Sequence, residues 1–132
     1  MNNLKLCMMA VDVMNNSYSP YSHFKVGAAL LCADGSVFTG VNIENSSYGD
    51  TICAERSAFA KAISEGKREF VKIAIVGSKT TDISKPCLPC GSCRQVMAEF
   101  CKQDFEILTF NDGAVQKHTL KELLPFAFDL EK

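Results

Sequence analysis

Seven consecutive residues without a charge, Val26-Gly27-Ala28-Ala29-Leu30-Leu31-Cys32, constrain this chain more than any other stretch. A run this short and this apolar suits a strand buried on both faces, and such a strand needs covering structure on each side. Asp34-Gly35 directly after it is a hairpin signal, and Ser36 to Ile43 alternates as a partner strand should. Val71 to Val76 reads as a third strand and Phe105 to Phe110 as a fourth. Helical spacing supplies the covering layers. Leu4, Cys7, Met8, Val11 and Met14 share a face over residues 4–14, with Asn2 or Asn3 as cap. Ala54, Ala58, Phe59, Ala62 and Ile63 share one over 54–65, closed by Gly66. Cys93, Val96, Met97, Phe100 and Cys101 share one over 92–102, and a short last helix is expected from Thr119 to Leu124. Strands alternating with helices imply parallel crossovers beside the hairpin. The expected fold is α/β, a three-layer α/β/α arrangement around a central mixed sheet, with residues 1–132 forming one domain.

Fourteen Lys and Arg against fifteen Asp and Glu leave a net charge of −1, and tryptophan is absent. A strand-binding protein wants a basic face and stacking aromatics, so no nucleic-acid polymer is expected as partner. No 18-residue apolar run exists, so no membrane partner is expected either. Seven cysteines remain to be explained. A secreted disulfide scaffold fits poorly: the count is odd, and the apolar stretch Cys7–Met14 is interrupted by Asp12 and lacks a small-residue cleavage site. The expectation is a cytoplasmic protein with free or metal-bound thiols.

Two cysteine groups stand at the starts of helices. Cys53-Ala54-Glu55-Arg56 opens the second, and Pro89-Cys90-Gly91-Ser92-Cys93-Arg94-Gln95 opens the third. Free N–H groups and the helix dipole stabilise thiolates there. A C-x-x-C pair supplies two zinc ligands from one turn of backbone, and a third thiolate leaves a tetrahedral ion one open position, the arrangement of a catalytic site. Pro86-Cys87-Leu88-Pro89-Cys90 offers a second C-x-x-C register. Leu88 precedes a proline and is pushed out of helical conformation, so the helix begins near Cys90 and the Cys90/Cys93 pair is favoured, with Cys87 an unliganded neighbour. Three thiolates on Zn²⁺ carry a net negative charge, and Arg56 and Arg94 beside them are the expected compensation. Cys7, Cys32 and Cys101 lie on apolar faces and read as packing.

The joint pattern Cys-Ala-Glu followed by Pro-Cys-Gly-Ser-Cys-Arg-Gln resembles the signature of zinc-dependent deaminases, and more narrowly the small free-nucleoside cytidine deaminases. Tyr18-Ser19-Pro20-Tyr21-Ser22-His23-Phe24-Lys25-Val26-Gly27-Ala28-Ala29-Leu30, Asn42-Ile43-Glu44-Asn45 and Glu122-Leu123-Leu124-Pro125-Phe126 extend the likeness over nearly the whole chain. The resemblance implies hydrolytic deamination of cytidine and deoxycytidine to uridine and deoxyuridine with loss of ammonia, a step of pyrimidine salvage. In that chemistry zinc-bound hydroxide attacks C4 while Glu55 shuttles the proton. It implies one Zn²⁺ per subunit on Cys53, Cys90 and Cys93. It assigns Asn42 and Glu44 to ribose hydroxyls, Phe24 to packing on the nucleoside, Ala54 to backbone contacts with the base, and Phe128, with Phe126 as alternative, to a neighbouring subunit's pocket. A homotetramer with shared active sites follows from the same likeness. A deaminase of another aminopyrimidine nucleoside, such as a nucleoside antibiotic, is the nearest competing reading. A structural zinc module, with Cys87 as fourth ligand, would leave Glu55 without a role, and a dithiol redox protein needs no Cys-Ala-Glu partner.

Overall fold

The computed structural model describes residues 1–132. Its elements in chain order are α1 (Asn3–Met14), β1 (Lys25–Cys32), β2 (Val37–Val41), α2 (Ala54–Ser64), β3 (Phe70–Ser78), α3 (Gly91–Phe100), β4 (Glu106–Asn111), β5 (Ala114–Thr119) and α4 (Leu120–Leu123). The strands form one mixed sheet in the order β2-β1-β3-β4-β5. β1 pairs antiparallel with β2 and with β3, β3 pairs parallel with β4, and β4 pairs antiparallel with β5.

The two-sided burial expected of β1 is observed: Ala28, Leu30 and Cys32 point into one core and Ala29 and Leu31 into the other. β3 divides the same way, Ile73 and Ile75 against Ala74 and Val76. α1 covers one face through Leu6, Cys7, Ala10 and Met14, capped by the Asn2 side chain, which accepts from the Lys5 N–H. α2 covers the other face through Ala54, Ala58, Phe59 and Ala62, joined by Met97 of α3 and Leu120 of α4. Phe59 is 1% exposed and meets Phe70 edge-on at 5.1 Å between centroids, so it anchors α2 by ~2–3 kcal/mol of apolar burial. The layering is therefore helix, sheet, helices, as the sequence pattern implied.

β5 is the correction. The strand after Asn111-Asp112-Gly113 was not expected, because Ala114-Val115 is followed by the polar run Gln116-Lys117-His118-Thr119, with no period-two alternation. The turn chemistry makes it: Asp112 at φ +51° and Gly113 at φ +76° form the tight left-handed pair that two-residue hairpins need. β2 is also shorter than expected and stops at Val41, so Asn42 and Glu44 lie beyond it. Ile43 still pairs, through isolated bridges to Tyr18 and Ile52.

α2 approaches β2 very closely at Gly40. A Cβ there would sit 2.5 Å from both the Ala54 carbonyl oxygen and the Ala58 backbone nitrogen. This close approach sets the first turn of α2, and with it the chemistry that follows.

Candidate active site

Cys53 and Cys90 are the N-cap residues of α2 and α3, and neither side chain caps its helix. Their sulfurs are therefore free for another partner in the positive field of two helix starts. Cys93, one turn into α3, faces them from the buried side at 1% exposure. The three sulfurs lie within 4.8 Å of one another, with Cys53 and Cys90 at 3.9 Å. A tetrahedral ion with Zn–S bonds of about 2.3 Å sets its sulfurs about 3.8 Å apart, so the donor set and its spacing fit zinc. Cys87 stands outside the group; its sulfur lies 2.9 Å from where a Cβ on Gly77 would be, against the Phe24 ring. That location agrees with the Cys90/Cys93 register.

Hydrogen bonds from Cys93 and then Arg56 outweigh burial at Cys53 and hold its thiol down at about 5, while Cys93, as the donor to Cys53, is raised. Burial pushes Cys87 up to about 12. The Arg56 guanidinium donates to the Cys53 sulfur at 3.5 Å. Arg94 does not share this duty: its Nε donates to the Pro89 carbonyl at 2.8 Å and its Nη1 to the Leu123 carbonyl at 2.7 Å. Arg94 therefore ties α3 to the end of α4, and Arg56 is the arginine whose guanidinium touches a thiol of the trio.

Glu55 is 5% exposed, in the first turn of α2, and takes part in none of the ion pairs. Burial raises its carboxyl above the ordinary glutamate range, against a hydrogen bond from its own backbone N–H. A buried, unpaired carboxyl beside three thiols is suited to taking and returning a proton.

The loops that carry the remaining expected residues are stitched to this centre by backbone. Ile43 and Ile52 exchange N–H···O bonds of 2.9 and 3.0 Å, which brings residue 44 alongside the segment entering Cys53. The Glu44 N–H donates to the Tyr18 carbonyl at 2.9 Å. A 350 Å³ cavity lies here, lined by Tyr21, Ser22, Glu44, Tyr48 and Thr51, within the size range of small-molecule sites. A larger cavity of 570 Å³, lined in part by Phe70, Phe100 and Cys101, lies at the other end of the sheet, and the linings of both cavities leave out the thiol trio.

Asn42 is more committed than a ligand contact requires. Its Oδ1 accepts from the Val26 N–H at 2.9 Å and from the Ser17 hydroxyl, and its Nδ2 donates to the Phe24 carbonyl at 2.8 Å. One amide hydrogen is left. Phe24 is half-buried, with its ring over Gly77, where a Cβ would come within 2.8 Å of it. Ala54 is fully buried as the first residue of α2. Phe126 and Phe128 lie far out on the surface at 104% and 69% exposure, with the Phe128 carbonyl accepting from Gln95 on α3. Ser22, Gly40 and Gly77 were missed by sequence reasoning. Nothing local in the sequence distinguishes them, because each acts through a residue distant along the chain.

The family model for the "cytidine and deoxycytidylate deaminase zinc-binding region" matches residues 1–109. A cytidine deaminase of Halalkalibacterium halodurans is 51% identical over 132 residues, covering 99% of this chain and 97% of that protein. The crystal structure of a Burkholderia pseudomallei cytidine deaminase superposes with a TM-score of 0.89 at 45% identity, covering 97% of this chain and all of that one. A blasticidin-S deaminase of Bacillus cereus is more distant, at 30% identity over 95% of this chain and 91% of that protein. By sequence over almost its full length and by fold, the chain belongs to the cytidine and deoxycytidylate deaminase family.

Proposed function

We propose that this protein is a zinc-dependent hydrolase that converts cytidine and deoxycytidine to uridine and deoxyuridine with release of ammonia. The observation that carries the reading is a buried carboxyl, Glu55, in the same helical turn as one of three convergent thiols. Cys53, Cys90 and Cys93 would hold the ion. A Zn²⁺ bound there supplies Lewis-acid activation of water near neutral pH.

The rest is work for the chain's own side chains. Glu55 accepts a proton from the attacking water and delivers it to N3 of the pyrimidine as the C4–O bond forms. It then carries the second proton to the amino group as the C4–N bond breaks, so water and cytidine leave as uridine and ammonia. The buried setting of Glu55 brings its proton affinity nearer the operating pH, which serves both directions of transfer. Arg56, donating to the Cys53 sulfur, adds to the stabilisation of its thiolate. Ala54 presents its backbone to the base, Phe24 packs on the nucleoside, and Glu44 with the remaining Asn42 hydrogen meets the ribose hydroxyls, which both donate and accept.

Phe128 is assigned to a neighbouring subunit's pocket in a homotetramer with one zinc per chain. The exposure of its ring on a tail laid along α3 supports that reading. The 132 residues act as one domain, in the cytoplasm, in pyrimidine salvage. The test is ammonia release from cytidine, deoxycytidine, cytosine and adenosine, with zinc measured on the same sample. Turnover of the two cytosine nucleosides at about one zinc per chain is expected. No turnover of either by zinc-loaded protein overturns the proposal, and turnover of a nucleoside antibiotic alone transfers it to the competing substrate.

A further inference from the structure

The loop between Pro20 and β1 contains a hydrogen-bond arrangement that the thiol centre does not use. The Glu44 carboxylate receives the backbone N–H groups of Tyr21 at 3.0 Å and Ser22 at 3.2 Å on Oε1, and the Ser22 hydroxyl on Oε2. The same hydroxyl oxygen accepts from the Phe24 backbone N–H at 3.0 Å. A serine hydroxyl has one proton to give, and here it is given to a carboxylate while a lone pair accepts from Phe24, the residue before β1.

Between these anchors His23 stands at φ +60°, the left-handed region that a residue with a Cβ adopts only against strain. Such a backbone persists where its neighbours over-determine it. The constraints here are the His23 N–H on the Ser19 carbonyl at 3.0 Å, the Asn42 amide on the Phe24 carbonyl at 2.8 Å, and the Ser22 hydroxyl on the Phe24 N–H. Beyond the strained residue the Phe24 ring lies over Gly77, beside the Cys87 sulfur. The backbone at residues 23 and 24 sets the direction in which the ring leaves the chain, and Gly77 leaves it room to follow.

We infer that Ser22 is a positioning residue: its hydroxyl joins the Glu44 carboxylate and the Phe24 backbone into one unit, so that the sugar-facing and base-facing ends of the pocket are set together. The inference rests on the nucleoside roles proposed above for Glu44 and Phe24. Ser22 needs no contact with substrate to act this way. Alanine would release both ends at once, whereas threonine keeps the hydroxyl and the coupling.

The test combines kinetics on cytidine with amide hydrogen exchange of the zinc-loaded protein without substrate. Ser22→Ala is expected to raise KM about tenfold while kcat stays within about threefold, and to speed exchange of the Phe24 amide about tenfold. Ser22→Thr is expected to restore both. In a Glu44→Gln background, Ser22→Ala is expected to add less than its full effect on KM, because the two residues act as one unit. Unchanged KM in Ser22→Ala, full additivity with Glu44→Gln, or an unchanged Phe24 amide each overturns the inference. Failure of the proposed function reads differently: wild-type protein would turn over no cytosine nucleoside, while the amide exchange is measured without any.

Discussion

Replacing Gly40 by alanine tests how the fold delivers the chemistry. The new Cβ would stand 2.5 Å from the Ala54 carbonyl oxygen and from the Ala58 nitrogen, both backbone atoms that cannot swing aside. Ordinary contact begins at 3.4 Å, so α2 must move away from β2 by about 0.9 Å at its first turn, and overpacking of this kind costs about 2 kcal/mol. For a chain of this size the melting temperature falls by roughly 5–10 °C. Ala54 lies between Cys53 and Glu55, so the displacement reaches a thiol and the carboxyl together. Misplacement of a catalytic group by about 1 Å costs about a hundredfold in rate. The assay is kcat for cytidine, normalised to folded, zinc-loaded protein, beside a thermal melt. Gly27→Ala is the comparison: its Cβ would lie 2.1 Å from the Ala10 carbonyl oxygen, on the α1 side of the sheet. That variant is expected to lose stability while its folded fraction keeps its kcat. Gly40→Ala with wild-type kcat and melting temperature refutes the reasoning, as does an equal kcat loss in both variants.

Glu55→Gln removes the proton carrier without changing shape, so turnover should fall at least about a thousandfold while zinc content and the melt are retained; half of wild-type activity would end that assignment. Cys93→Ala is expected to abolish stoichiometric zinc by metal analysis and Cys87→Ala to retain it, and the reverse result would move the site to the other register. At the surface, hydrogen bonds from Lys67 and then Ser36 hold the Asp34 carboxyl well below the usual range. A depressed folded-state value means its stabilisation is present above the unfolded value and is lost as pH falls through the folded one. Asp34→Asn should therefore melt slightly lower than wild type at neutral pH, with the two converging in acid or high salt; a gap that widens in acid would contradict the sign.

What was legible in the chain was local. The doubly buried β1 announced itself by composition, and the thiols by spacing: an N-cap and the residue one turn later are a fixed i, i+3 relation. Glu55 was readable because it shares a turn with Cys53. β5 escaped because an edge strand has one poor face to advertise. The Arg94 donors go to the Pro89 and Leu123 carbonyls, partners that no spacing in the sequence announces. Ser22 and Glu44 are 22 positions apart, and the approach of Gly40 to α2 depends on how a helix docks, so neither leaves a pattern in the residues themselves.

Cys53 precedes β3 and Cys90 follows it, with β3 lying between β1 and β4 in the middle of the sheet. The two local hairpins, β1–β2 and β4–β5, can close early without bringing any two of those helix starts together. The thiol cluster assembles only when the central strand docks, and docks in register. A slip of one residue would exchange Ile73 and Ile75 with Ala74 and Val76 between the two cores. Joining Cys53 to the Cys90–Cys93 pair thus requires β3 in its native register, and tight metal retention becomes a readout of chains that have reached it.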